Sequence, residues 1–434
     1  MTDYHRRLAS LFTVHLKGSA MANRTIVGID VGTTKVCTIV AQVQNSGRLH
    51  VLGVGLTPSK GIDKGVVVNI DDAVHAIATS VEKAERLSGY RIGTAFVGVA
   101  GRHIASLNSR GVVAVARSDH EVTRSDIARA VEAAQAVAIP TQREVIHVIP
   151  RAYILDGNEG IRDPIGMSGF RLEVETHIVT GEVMAIQNLI KSVQRAGVEI
   201  DDLVLQPLAS GEAALTPDDK DRGVVLVDIG GGTTDIAVFV QGGVWHTSVI
   251  PVGGNHFTND IVLVLQTPHH TAEYLKLRYG TAIDEEEEQE DTVIEVEGFS
   301  LGERQQVSRR LLNQVIRARA EEVVELIYNE IRRSGYDGLL PAGVVVTGGA
   351  AQLPRFDELM REMLGIPVRL GGPTGLGGLS DSLDSPAYST AVGLVHWGAR
   401  HGLAMLGGPS AAPERNGWGS SYERFKGWLR EFLP

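Results

Sequence analysis

The sequence predicts a duplicated α/β fold with two large domains, inserted subdomains and a C-terminal amphipathic helix. Three observations predict it. A β-hairpin with an Asp-x-Gly signature occurs twice, at Asp30 to Thr34 and at Asp228 to Asp235. A strand-like run ending in paired glycines, Gly343 to Gly349, follows the second copy. The chain ends in an apolar stripe at helical spacing, preceded by a linker rich in Gly, Pro and Ser.

The hairpin comes first because it defines the repeat. Residues 25–59 lie over residues 223–254: TIVGIDVGTTKVCTIVAQV, the turn Asn45-Ser46-Gly47 and the strand LHVLGVGL match GVVLVDIGGGTTDIAVFVQ, the turn Gly242-Gly243 and a strand toward Val252. β-branched content places strands on both sides of each Gly-Thr loop. Between the copies, Val183, Ile186, Leu189, Ile190 and Val193 recur at helical spacing and stop at Gly197, a C-cap signal. A second core helix is expected from Pro386 through Ala391 and Leu394, where Ala387, Ala391 and Gly393 would admit a close helix neighbour.

These signals divide the chain as follows. An extension, 1–23, precedes a first large domain, 24–87, 172–205 and 385–404, which holds an insertion, 88–171. A second large domain, 206–260 and 340–384, holds the subdomain 261–339. A flexible linker, 405–419, and the amphipathic segment 420–434 complete it. Residues 1–23 read as a disordered extension, and Met21 as an alternative start. The acidic run Asp284 to Asp291 has no calcium-loop spacing and reads as a solvated loop.

Composition limits the function. With 434 residues, of which 43% are apolar, the chain needs more than one core. Its 41 basic and 52 acidic side chains give a net charge of −11, which argues against nucleic acid as a partner. The single cysteine, Cys37, can build neither an internal disulfide nor a zinc cluster, and a reducing cytoplasm is the expected compartment. No apolar run reaches the length of about 18 residues that a membrane-spanning helix requires.

The chemistry lies in the hairpins. Gly32, Thr33 and Thr34 let backbone N–H groups and hydroxyls face a phosphate, whereas Asp30 cannot touch that anion without a cation between them. Asp30 and Asp228 are therefore expected to hold a hydrated Mg²⁺, and Lys35 to neutralise phosphate charge. One such turn alone is ordinary, since tight hairpins choose Gly and Asp for their geometry. Two in matching contexts point to a nucleotide.

Together these segments resemble the actin, heat-shock chaperone and sugar kinase superfamily, whose order is phosphate-1, connect-1, phosphate-2, adenosine and connect-2. Within it, RLEVETHIVTG, DDLVLQPLAS, VLVDIGGGTTDIAVF and IPVGGNHFTNDI resemble the FtsA family of bacterial cell-division proteins, over roughly residues 24–400. The resemblance implies an actin-like (ribonuclease H-like) fold that binds ATP with Mg²⁺. It implies a second phosphate loop of Gly230, Gly231, Gly232, Thr233 and Thr234, ribose contacts at Glu273 and Lys276, and an adenosine turn at Gly348 and Gly349. Gln206 falls where the superfamily orients an attacking water. Glutamine is a poor base, so any hydrolysis is expected to be slow and to act as a timer. Without the resemblance, Glu273 and Lys276 are only an i,i+3 surface pair. The insertion is implied to be an SHS2-like subdomain that contacts other division proteins and the neighbouring protomer of a filament.

In the tail, Tyr422, Phe425, Leu429 and Phe432 fall on one stripe, with Trp428 and Leu433 beside it and Arg424, Lys426 and Arg430 as cationic groups. A helix lying in the bilayer interface fits this pattern, as does a helix docked on the protein itself. The resemblance implies the first: a tether holding FtsZ at the cytoplasmic face of the membrane, at the division septum. Alternatives are a PilM-like pilus-assembly protein and a small-molecule kinase of the same superfamily.

Overall fold

A computed structural model describes residues 24–44, 46–283, 292–298, 304–379 and 381–401. The extension 1–23, the acidic run 284–291, the linker 405–419 and the amphipathic segment 420–434 lie outside the described residues.

The chain opens with an antiparallel meander of β1 (Arg24–Val31), β2 (Lys35–Val43) and β3 (Leu49–Pro58). β1 and β2 are buried over most of their length, which is why they read as unbroken apolar runs rather than as alternating ones. α1 (Ile70–Ser88) follows. The Asn69 side chain accepts from the Asp71 and Asp72 N–H groups at its start, and Gly89 ends it at φ 66°. Its buried face, from Ala73 to Ala84, packs on β3. β4 (Thr94–Val99) then pairs in parallel with β1.

Here the chain leaves for the insertion. β5 (Ile104–Ala114), α2 (Arg124–Gln135), β6 (Arg143–Leu155), β7 (Asn158–Ile161) and β8 (Arg171–Glu182) build an antiparallel sheet in the order β5-β8-β6-β7. On α2, Ile127, Ala130, Val131 and Ala134 share a core with Leu172, Val174 and Ile178 of β8. The insertion thus runs from β5 to β8, not over 88–171. The physical reason is strand burial. β4, expected inside it, is apolar and buried from Ala95 onward, as suits an inner strand of the large sheet. β8, expected in the large domain, looks like a core strand because it lies between β5 and β6.

α3 (Val183–Arg195) buries Ile186, Leu189, Ile190 and Val193 as their spacing predicts, and Gly197 follows at φ 89°. β9 (Glu199–Leu205) pairs in parallel with β4 and completes the sheet order β9-β4-β1-β2-β3. The second half begins with α4 (Gln206–Ala214), α5 (Pro217–Arg222), β10 (Val224–Ile229), β11 (Thr234–Val240) and β12 (Gly243–Ile250). It continues through α6 (Gly254–Leu265), α7 (His269–Tyr279), the two-stranded β13 (Val293–Glu297) and β14 (Arg304–Ser308), and α8 (Arg309–Ser334). β15 (Val344–Thr347), α9 (Phe356–Leu364) and β16 (Val368–Leu370) return it to the second sheet, ordered β12-β11-β10-β15-β16.

Both sheets are therefore an antiparallel meander followed by two parallel strands, in the same order and direction. The sequence repeat is a repeat of topology. β17 (Leu376–Gly378) extends the first sheet beside β3, and α10 (Ser389–His401) closes the described chain. One core joins the halves through this helix: Ile26 and Ile39 of the first sheet, Ala391 and Val395 of α10, Leu208 and Ala209 of α4, and Leu226 and Ala237 of the second sheet. The insertion also touches the second half. Ser106 Oγ donates to the Thr247 carbonyl at 2.8 Å, and the Arg151 guanidinium lies 4.5 Å from the Trp245 ring centre and donates to the Tyr336 hydroxyl at 2.5 Å.

Candidate functional site

The two hairpin loops have the same geometry. In the first, Asp30 pairs with Cys37 across the ladder, and Gly32 N–H donates to the Lys35 carbonyl at 3.0 Å. In the second, Asp228 pairs with Asp235, and Gly230 N–H donates to the Thr233 carbonyl at 2.9 Å. Counted from the two aspartates, Thr33 and Thr34 occupy the backbone places of Gly231 and Gly232. The letters Gly-Thr-Thr common to both loops are thus out of structural register by two.

The loops face each other at close range. A Cβ on Gly231 would lie 2.2 Å from Thr34 Cγ2, and one on Gly232 would lie 2.8 Å from Thr33 Oγ1. Glycine at these places is what lets the loops meet. Below them, strand ends and two helix starts converge. Gln206, the first residue of α4, donates through Nε2 to Asp30 Oδ1 at 3.0 Å. Ser210, one turn later, donates to Asp228 Oδ2 at 2.5 Å, and Thr390 of α10 donates to the same oxygen at 3.1 Å. Gly348 stands against the other oxygen, where a Cβ would come within 2.4 Å of Asp228 Oδ1. The Lys35 ammonium lies 5.3 Å from the Tyr388 ring centre.

Burial makes these carboxylates costly as anions. It pushes Asp30 up to about 6, helped by Asp228 and opposed by Lys35. Asp228 is raised by burial against the hydrogen bonds from Ser210 and Thr390. Asp235, which sequence reasoning passed over, is pushed to about 8 by burial and by the neighbouring Asp228 and Asp30. Its Oδ2 accepts from Thr233 Oγ1 at 2.9 Å, but its Oδ1 is buried without a hydrogen-bond partner. A buried acceptor left open beside two more carboxylates fits a cation with its waters. Among the described residues no three His, Cys, Asp or Glu side chains are grouped to hold an ion by themselves. Such an ion would need phosphate and water for its other ligands, which matches the habit of Mg²⁺.

Glu273 and Lys276 are not a free surface pair. Their ion pair is 2.7 Å long, and Lys276 Nζ also donates to the Gly254 carbonyl at 3.1 Å and to Thr258 Oγ1 at 2.8 Å, while Thr258 donates to Glu273. Gly254 and Asn255 N–H in turn donate to the Gly230 and Gly231 carbonyls, both at 2.8 Å. The pair is thus tied to the second phosphate loop through the start of α6. Gly349 has open space where its side chain would be, with the nearest atom, Ala387 Cβ, at 3.9 Å. The predicted membrane-facing residues, Tyr422 to Leu433, lie outside the described residues. Ser210 ends the quoted stretch DDLVLQPLAS but drew no role from it, and Thr390 carried no signal, because a hydroxyl on a buried helix has no motif of its own. Asp235 carried one: it closes the second ladder where the first has Cys37.

These shifts give a signed pH dependence. A carboxyl whose folded pKa is raised destabilises the fold as pH climbs from its unfolded value of 3.8 through the folded one. For the ligand-free protein, Asp235→Asn is expected to gain stability over wild type, more at pH 8.5 than at pH 5. Urea denaturation of both proteins at the two pH values checks it; an equal difference at both would contradict it. The buried His103, His147 and His177, held down near 4, 3 and 3, act in the opposite sense below pH 6.5 and cancel in this comparison.

Comparison with known proteins gives a consistent picture. The family model "Cell division protein FtsA" matches residues 225–393, and "SHS2 domain inserted in FTSA" matches residues 101–180, in agreement with the insertion from β5 to β8. The chain is 45% identical over 417 residues to the cell division protein FtsA of Pseudomonas aeruginosa, covering 95% of this chain and 99% of that one. The Escherichia coli K12 protein of the same name is 36% identical over 423 residues, with 95% and 99% covered. Bacillus subtilis FtsA is 40% identical over 379 residues, with 87% and 84% covered. Among solved structures, a PilM-PilN type IV pilus biogenesis complex matches with a TM-score of 0.64 at 15% identity, covering 87% of this chain and 99% of that one. MreB5 of Spiroplasma citri bound to ADP matches at 0.51 and 15%, covering 86% and 96%. The fold is actin-like.

Proposed function

The chain belongs to the FtsA family of bacterial cell-division proteins, and from that premise we propose that it is an ATP- and Mg²⁺-binding, actin-like protein that polymerises and tethers the FtsZ ring to the cytoplasmic membrane. The observation that carries the nucleotide part is the meeting of two equivalent loops above Asp30, Asp228 and Gln206. Backbone N–H groups of Thr33, Thr34, Gly231 and Gly232 would take phosphate oxygens, with Gly32 and Gly230 shaping the two turns through their own N–H bonds to the Lys35 and Thr233 carbonyls. Asp30 and Asp228, with Asp235 beside them, would hold a hydrated Mg²⁺. That ion supplies charge neutralisation for the phosphates. Glu273 and Lys276 take the ribose side, and Gly348 and Gly349 the purine. Pilus assembly and small-molecule phosphorylation give way as readings, because the pilus likeness is one of fold while the FtsA likeness extends along the whole sequence.

Gln206 orients water and holds Asp30, but it has no basic group to take a proton, so turnover is slow and nucleotide state sets assembly. Membrane attachment rests on residues 420–434. Glu423 and Glu431 offset two of the three cations there, so apolar burial drives binding, at about 1.5–3 kcal/mol per large side chain. No helix among the described residues is long and apolar enough to cross a membrane. A filament multiplies weak tails by avidity.

Vesicle co-sedimentation tests the proposal. The full chain is expected to carry FtsZ into the vesicle pellet in the presence of ATP, and the chain lacking residues 420–434 is expected to leave both in the supernatant. Pelleting unchanged by the truncation would overturn the tether.

A further inference from the structure

Between β3 and α1 the chain makes a miniature hairpin, Ile62–Asp63 paired with Val66–Val67, whose two turn residues are Lys64 at φ 46° and Gly65 at φ 74°. A two-residue turn with both central residues left-handed is one that selects Asn, Asp or Gly at its first place, because a longer side chain there strains the backbone. This chain puts a lysine there. The same left-handed pair recurs at Gln241-Gly242, so strain alone assigns no role to Lys64.

The position of the turn supplies one. Gly65 N–H donates to Thr33 Oγ1 of the first phosphate loop at 3.3 Å, and a Cβ on Gly232 of the second loop would come within 3.1 Å of Lys64 Cα. The turn thus lies across the seam where the loops meet. Lys64 is half-buried and makes no ion pair among the described residues. Its charge is felt by His256, which, with burial as the larger cause, it helps keep below the usual imidazole value. His256 Nδ1 accepts from Gly253 N–H at 3.1 Å, where α6 starts beside the second loop. On its other side the turn abuts the entry to the insertion. A Cβ on Gly101, which has φ 125°, would meet the Lys64 carbonyl at 2.8 Å, and one on Gly65 would meet the Ala100 carbonyl at 2.6 Å.

Resting on the nucleotide reading above, we propose that Lys64 is a specificity-determining residue of the cleft, the cation that separates a nucleoside triphosphate from a diphosphate, and that its turn passes this difference to the insertion at Ala100 and Gly101. A flexible ammonium on a turn that spans both loops reaches an anion held between them. The terminal phosphate, with the most charge to neutralise, gains most from it.

The test measures competitive binding of ATP and ADP, with Mg²⁺, to the full chain and to Lys64→Gln and Lys64→Gly. Glutamine keeps the backbone strain and glycine removes it, so an effect common to both belongs to the ammonium. Both variants are expected to lose about tenfold in ATP affinity, the scale of one charge-assisted hydrogen bond, and under twofold in ADP affinity. Thermal melting should place Lys64→Gly no lower than wild type. An unchanged ATP-to-ADP ratio in either variant, or an equal loss for both nucleotides, overturns the assignment. Hydrogen exchange at residues 98–104 should differ between the ATP and ADP states of wild type and not of Lys64→Gln; identical exchange in both wild-type states overturns the relay. Wild type binding neither nucleotide would instead defeat the reading on which the inference rests, a pattern distinct from the others.

Discussion

Gly393→Ala is expected to destabilise the chain by about 2 kcal/mol or more and to weaken nucleotide binding with it. Two effects oppose each other at this position. Alanine is the better helix former, by about 1 kcal/mol in an exposed helix. Against that, a Cβ on Gly393 would lie 1.8 Å from the Ala209 carbonyl oxygen and 2.3 Å from its carbon. Both are backbone atoms within α4, so no rotamer change relieves the contact and the helices must separate. α4 carries Gln206 and Ser210, and α10 carries Thr390, so separation pulls on Asp30 and Asp228 together. Urea denaturation, read beside ATP affinity, checks both parts. A variant as stable as wild type would contradict the helix contact.

Gly393 also marks how far sequence could reach. Its smallness, with that of Ala387 and Ala391, signalled a close helix neighbour but could not name α4 as that neighbour, because the partner lies far away in sequence. The repeat was legible for a local reason: β1 to β3 and β10 to β12 are meanders whose turns and apolar runs are contiguous. The parallel strand β4 was harder to place than β9, which falls in the first large domain as read. β4 pairs with β1 before the insertion and with β9 beyond it, so the apolar run Ala95–Val99 looked the same whichever sheet received it.

At the site, the loops were legible and their support was not. Gln206 bonds Asp30, and Asp228 lies close enough for its charge to act on Asp30, whereas Ser210 and Thr390, 180 residues apart, are joined only by folding. Laying residues 25–59 over 223–254 set Asp30 on Asp228, the register that the backbone keeps, although the letters Gly-Thr-Thr shared by both loops stand two places apart in it. The lysine turn was hidden: Gly61 to Gly65 resembles any loop until its dihedral angles show which residue carries the strain.

The second large effect falls on Asp228. Asparagine keeps its shape and removes a charge that burial disfavours, so the ligand-free fold should be no less stable than wild type. Binding should behave otherwise. A hydrated ion loses one of its carboxylate supports, and loss of a group that holds an ion's ligands costs about 10- to 100-fold in affinity. Assembly driven by nucleotide should weaken accordingly, while attachment through residues 420–434 continues. The central claim is that this cleft is an Mg²⁺-dependent nucleotide switch, and calorimetric titration of ATP into the full chain tests it most directly. The account predicts saturable binding at one site per chain, reduced by chelation of Mg²⁺ and by Asp228→Asn with no loss of melting temperature. Binding indifferent to both the ion and the carboxylate would contradict it.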